Sequence, residues 1–181
     1  KAGILKPGVA AIIARQTPAA AAVIEARANA IGAPLRRFDK EWRVAETATG
    51  FTFEGQYWHH DLPRPALLGH HQIENAGTAL ATLEPLEIFK VAPAAIARGL
   101  TTAQWPARLQ RLNYGPLVDA LPAGWELWLD GAHNPHAAEM LAGFMTAWRD
   151  RPIHLVAGLQ STKDAAEFFR RLAPVVAGGA V

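Results

Sequence analysis

One eight-residue stretch, Asp130-Gly131-Ala132-His133-Asn134-Pro135-His136-Ala137, constrains this chain more than any other. It follows an apolar run, Trp125 to Leu129, that reads as a buried strand. It precedes a helical pattern over 137–148, with Met140, Leu141, Phe144 and Trp148 on one face. An aspartate and a histidine therefore occupy a strand-to-helix turn at the carboxyl end of a strand. Ligands bind there in open α/β sheets. The small residues of the turn let backbone approach a ligand, and Pro135 suits the first turn of a helix. Helix amino termini also favour phosphate, because unpaired N–H groups and the helix dipole face it. The alternative is an ordinary connection with a polar cap.

The sequence around this turn sets the rest of the organisation. Val9 to Ala14 reads as a short buried strand. Thr17 and Pro18 form an N-cap and first-turn pair, and Gly32 ends the helix that follows. Val23, Ala26, Ala30 and Ile31 are its expected apolar stripe. Leu35 to Phe38 is a second strand. Residues 42–62 change character, with three short antiparallel strands expected and turns at Thr49-Gly50 and Glu54-Gly55. Helices are expected over 67–84 and 93–101. Trp105-Pro106 marks a domain boundary. Beyond it strands and helices alternate, which argues for a parallel α/β sheet. Strands are expected over 109–114, 125–129 and 153–157, and helices over 137–148 and 164–176.

Composition narrows the class. The chain has 181 residues, half of them hydrophobic, so one or two modest cores can be buried. Eighteen basic residues against sixteen acidic give a formal charge of +2, and no long basic run suggests nucleic acid. With zero cysteines, disulfides and thiolate metal sites are excluded. No apolar run reaches the roughly 18 residues of a membrane span. A cytoplasmic monomer without membrane or nucleic-acid partners is expected. The pairs His59-His60 and His70-His71 would need a third ligand to hold zinc. Solvated strand residues and a helix-terminal cap are the simpler reading. Similarly, the six tryptophans read as core material.

The wording of four segments resembles the folylpolyglutamate synthase / dihydrofolate synthase family of the Mur ligase superfamily. They are Lys1 to Val9 (K-A-G-I-L-K-P-G-V), His71 to Ala81 (H-Q-I-E-N-A-G-T-A-L-A), Pro106 to Gln110 (P-A-R-L-Q) and the D-G-A-H-N-P-H-A turn. Thr162-Lys163-Asp164 is a weaker match. The resemblance implies a mixed α/β chain. Residues 1–104 would be the carboxyl-terminal half of a central ATP-binding domain, and 105–181 the start of a Rossmann-like carboxyl-terminal domain. No G-x-x-x-x-G-K-[ST] phosphate loop occurs in the sequence, so an internal piece of a longer, ATP-using protein is expected, inactive by itself.

The chemistry the resemblance implies is ADP-forming amide ligation. ATP with Mg²⁺ activates a dihydropteroate or folate carboxylate as an acyl phosphate, and the amine of L-glutamate attacks it. By the same resemblance Asn75 meets the adenine edge, Arg108 forks onto phosphate, Asp130 accepts ribose hydroxyls, and His133, a catalytic candidate together with Lys1, reaches phosphate or ribose across a domain cleft. Lys163 is a weak substrate-binding candidate. Lys1 would be carbamylated in the intact enzyme and help organise the metal, which requires a lowered amine pKa. Apart from the resemblance, Arg108 reads as a solvated charge, Asn75 as a helix cap and Lys1 as a frayed terminus. Ala107 stands where the family has glycine; a positive φ there would cost on the order of 1 kcal/mol. Another ligase of the superfamily, or a non-catalytic nucleotide-binding module, are the alternative functions.

Overall fold

Thr17 and Gly32 frame the first helix, α1 (Pro18–Ile31), in the computed structural model, which describes residues 2–86 and 88–180. The Thr17 side chain accepts the Ala20 amide at 3.4 Å, and Pro18 fills the first turn. Gly32 closes the helix at φ 67°, with the Ala33 amide donating back to Ala28 at 2.9 Å. That is a Schellman ending, which a left-handed glycine makes without steric cost. Helix α1 links two parallel strands, β1 (Ala11–Ile13) and β2 (Leu35–Arg37), in a βαβ unit. The expected apolar stripe is corrected. Val23 is 63% exposed and Ala26 and Ala30 are also outside, whereas Ala28 is fully buried, with Ala21, Ile24 and Ile31 partly covered.

Successive arginines on β2 point to opposite faces, as strand geometry requires. Arg37 reaches Glu25 on α1 at 2.8 Å and also pairs with Glu41. Arg36 reaches Glu84 at 3.1 Å, at the end of the second helix, α2 (His71–Leu83). The two neighbours thus tether different helices.

Residues 43–63 form a three-stranded antiparallel sheet of β3 (Arg43–Glu46), β4 (Gly50–Glu54) and β5 (His59–Pro63). Phe51 and Phe53 alternate onto one face of the central strand and are almost fully buried. Against them lie Trp42, Leu62 and the Ile73, Ala76, Leu80 and Ala81 face of α2. Gly77 lets α2 lie close to the sheet. A Cβ there would fall 2.5 Å from Val44 Cγ1 and 2.8 Å from Trp42 Cζ3. Helix α3 (Pro93–Thr102) adds Ile96 to the same core.

By its contacts the chain divides into two units, Lys1–Gln104 and Trp105–Val181. The second contains β6 (Gln110–Leu112), a short α4 (Pro116–Asp119), β7 (Leu127–Leu129), α5 (Pro135–Met145), β8 (His154–Val156), α6 (Ala165–Leu172) and β9 (Gly178–Ala180). Helices α5 and α6 pack on each other, and Ala138, Leu141, Met145, Phe168 and Leu172 form the core with Leu109. Met140, expected inside, is 38% exposed; Phe144 and Trp148 pack edge-on to each other and tilted against Trp128.

An all-parallel sheet is not what forms here. Strands β8 and β9 are parallel, but β6 and β7 are antiparallel, with Gln110 opposite Leu129. A parallel return needs a crossover of about a dozen residues or more, usually a full helix. Helix α4 is only 4 residues long, and the chain folds back on itself. None of the described helices is long and apolar enough to cross a membrane.

Candidate functional site

Asp130 follows β7 directly, and its carboxylate organises the turn behind it. Oδ1 accepts the Ala132 amide at 2.8 Å, and Oδ2 accepts the Leu109 amide at 2.8 Å. The Gly131 amide donates to the Ala107 carbonyl, also at 2.8 Å. A Cβ at Gly131 would stand 3.3 Å from that oxygen, so glycine permits the close approach. Asn134 then caps α5, its side-chain oxygen accepting the Ala137 amide at 3.0 Å, with Pro135 in the first turn. His133 is exposed, and its Nδ1 lies 2.9 Å from the Gly131 carbonyl.

The Asp130 contacts hold a second turn, Ala107-Arg108-Leu109. Ala107 has φ 56° and Leu109 φ 47°. Left-handed backbone at residues with a Cβ costs roughly 1–2 kcal/mol each, so the condition set for Ala107 is met. Surrounding bonds offset the strain: Gln110 Oε1 accepts the Ala107 amide at 2.9 Å, and the Leu109 side chain is buried. Arg108 between them is exposed and makes no ion pair among the described residues.

Arg108 and Asp130 are thus brought together through the backbone of Leu109, and His133 shares the Asp130 turn. Lys163 stands in the turn before α6, where the Lys163 amide donates to Gln160 and Asp164 caps the helix. In the first unit Asn75 is an exposed residue of α2 whose amide nitrogen donates to Gln72 Oε1 at 3.1 Å. It lies inside α2 and does not cap it. Lys1 lies outside the described residues. Among the described residues no group of three His, Asp or Glu side chains could hold a metal ion. Gln110 was missed from sequence, since nothing in its spacing announces that its oxygen turns back on Ala107.

The first unit has a cavity of about 210 Å³ at the carboxyl ends of β1 and β2, lined by residues including Ile13, Arg15, Ile24, Arg37 and Phe38. Its place in the fold is where a ligand would be sought, yet it contains none of the expected site residues. Its charges are mutually satisfied. Arg15 lies over the Phe38 ring and pairs with Asp39 and Glu74, while Arg37 and Lys40 pair with Glu25. The Arg37 guanidinium holds the Glu25 and Glu41 carboxyls below the usual glutamate range. We assign this cavity to packing.

Comparison with known proteins decides the family. Folylpolyglutamate synthase of Lacticaseibacillus casei is 32% identical over 181 residues, covering 95% of this chain and 40% of the relative. The chain is a homologue of the folylpolyglutamate and dihydrofolate synthases. It spans about 40% of the length of that relative. The structure of E. coli FolC in complex with DHPP and ADP superimposes with a TM-score of 0.81 at 32% identity, over 99% of this chain and 40% of that one. A bifunctional folylpolyglutamate synthase/dihydrofolate synthase with Mn, AMPPNP and L-glutamate bound gives 0.81 at 30% identity, again over 99% and 40%. No protein-family model matches the chain. The mixed α/β fold described above corresponds to part of these synthase structures.

Proposed function

We propose that this chain supplies part of an ATP-dependent, ADP-forming ligase that joins L-glutamate to a dihydropteroate or folate carboxylate. Residues 1–104 would be the carboxyl-terminal half of its central ATP-binding domain and 105–181 the start of its Rossmann-like domain. The observation that carries the reading is the Asp130–Leu109 bond, which joins two segments that resemble the family's motifs, D-G-A-H-N-P and P-A-R, into one structural unit.

The donor set of the second unit fits the phosphate and ribose of a nucleotide. Arg108 is an exposed guanidinium with no ion pair among the described residues, suited to forked contact with phosphate. The Asp130 oxygens each accept one amide and keep capacity for a ribose hydroxyl. His133 Nε2 has no hydrogen-bond partner among the described residues. In the first unit, taken by itself, the Asn75 amide oxygen is the candidate for an adenine edge. Lys163 is a substrate-binding candidate near the α6 cap. When bound, ATP would supply the phosphoryl group that activates the carboxylate. The chain's own residues bind, orient and neutralise charge, which is how such transfers are accelerated. Mg²⁺ is proposed with ATP, and Lys1, once carbamylated, is the residue of this chain that would help to organise it.

The test is ADP release by the natural full-length protein supplied with dihydropteroate or folate, L-glutamate and Mg²⁺. Release should require both the pterin substrate and glutamate. Arg108→Ala and Asp130→Ala should each lower kcat/KM for ATP about ten- to a hundred-fold, the loss of a charge-assisted contact of roughly 1.5–3 kcal/mol. No turnover, or turnover indifferent to glutamate, would refute the proposal. The 181-residue chain alone should not turn over.

A further inference from the structure

The Arg108 turn is held by three hydrogen bonds, from Gln110, Asp130 and Gly131. Its backbone departs from ordinary conformation on both flanks, at Ala107 and Leu109. An isolated tripeptide would not stay in such a state. Gln110 Oε1 takes the Ala107 amide at 2.9 Å, Asp130 Oδ2 takes the Leu109 amide at 2.8 Å, and Gly131 N–H donates to the Ala107 carbonyl at 2.8 Å. Gln110 begins β6 and stands opposite Leu129, the residue before Asp130. The holding groups are therefore fixed to each other by the β6–β7 pairing. In the middle, Arg108 is left exposed and without an ion pair among the described residues.

We infer that Gln110 and Asp130 are positioning residues for Arg108. They clamp a left-handed turn whose purpose is to present an unpaired guanidinium to a phosphate oxyanion. This rests on the phosphate-binding reading of Arg108. Asp130 then acts through backbone as well as through any ribose contact, and Gln110 acts through backbone only. An arginine on a relaxed turn would sample many directions, and each lost orientation weakens a forked contact whose strength depends on alignment.

A mutant cycle in the full-length ligase separates the possibilities. Gln110→Met removes the acceptor at similar size; Gln110→Asn keeps an amide too short to reach Ala107; Gln110→Glu keeps an acceptor oxygen. The Met and Asn variants should raise KM for ATP about tenfold, with kcat changed less, the size of one oriented charge-assisted contact. The Glu variant should return to within about threefold of wild type. In an Arg108→Ala background the Gln110 substitutions should add less than about twofold, because residues acting through one group are not additive. Amide hydrogen exchange at Ala107 and Leu109 should quicken in the Met variant while the α5–α6 core stays protected. Full additivity with Arg108→Ala, or an unchanged KM for ATP in both the Met and Asn variants, overturns the inference. If Arg108→Ala alone leaves ATP kinetics unaltered, the phosphate reading itself has failed, a separate and recognisable result. If the Met variant does not fold, the Asn and Glu pair decides.

Discussion

The Nδ1 atom of His133 lies 2.9 Å from the carbonyl oxygen of Gly131, two residues back in the same turn. A carbonyl can only accept, so Nδ1 carries the proton. In the neutral ring the lone pair is then on Nε2, facing away from that contact. Nitrogen chemical shifts of a ring-labelled protein at neutral pH should report the Nδ1–H tautomer for His133. Predominance of the Nε2–H form would mean that the Gly131 contact does not hold the ring.

Gly77 sets how closely α2, and with it Asn75, lies on the three-stranded sheet. Alanine has the higher helix propensity, by about 1 kcal/mol. Its Cβ would nevertheless meet Val44 Cγ1 at 2.5 Å and Trp42 Cζ3 at 2.8 Å. Overpacking of this kind costs roughly 1–3 kcal/mol, so Gly77→Ala should lower Tm. Adding Val44→Ala should recover part of the loss by vacating the nearer contact. A stabilised Gly77→Ala single variant would mean that α2 stands further from the sheet.

Glu84 should be the most sensitive charged residue of the first unit. Its side chain is only 2% exposed and accepts the amides of Gln56, Tyr57 and Trp58 at 3.2, 2.8 and 2.7 Å as well as the Arg36 guanidinium. Glu84→Ala leaves three amides and a partly buried cation without a partner, which costs about 3–5 kcal/mol. Glu84→Gln keeps one acceptor oxygen and should lose less. Urea unfolding measures both; equal, small losses would show that water replaces the carboxylate.

Acid should destabilise the chain. Arg37 holds Glu25 and Glu41 below the usual glutamate value of 4.5, Arg64 followed by His70 does so for Glu46, and Arg170 followed by Arg171 for Glu167. A carboxyl lowered in the folded state stabilises fully above its unfolded pKa, and that contribution is lost as pH falls through the folded value. Tm should therefore be level above about pH 5 and fall below about pH 4.5. Glu41→Gln should make the fall shallower. A Tm unchanged down to pH 3 would contradict the assignment.

Legibility from sequence followed the strength of local chemistry. Thr17, Pro18 and Gly32 bound α1 because each has a specific backbone preference. The sheet over 43–63 could be read because Phe51 and Phe53 alternate with polar residues between turn signals. The stripe on α1 could not, since a helix of alanines offers little contrast between faces; Val23 drew the expectation outward and Ala28 was overlooked. The antiparallel β6–β7 pairing depended on how short α4 is, a length that its apolar residues do not reveal. Asp130 and Arg108 stood out as wording. What joins them, the Leu109 amide and the Gln110 oxygen, is carried by backbone direction, which a residue name does not encode.

The carboxylate at Glu84 has a consequence for how the first unit comes apart. Loop tips are ordinarily where proteases enter, and residues 55–58 form the tip of the β4–β5 hairpin. Here the tip is anchored by a residue 26 to 28 positions later in the chain, itself held by a strand 48 positions earlier. To peel the tip open, an enzyme must also uncover the end of α2 and strip a cation on β2. Cutting at that bend becomes a cooperative event, slower than the exposure of Tyr57 alone would suggest.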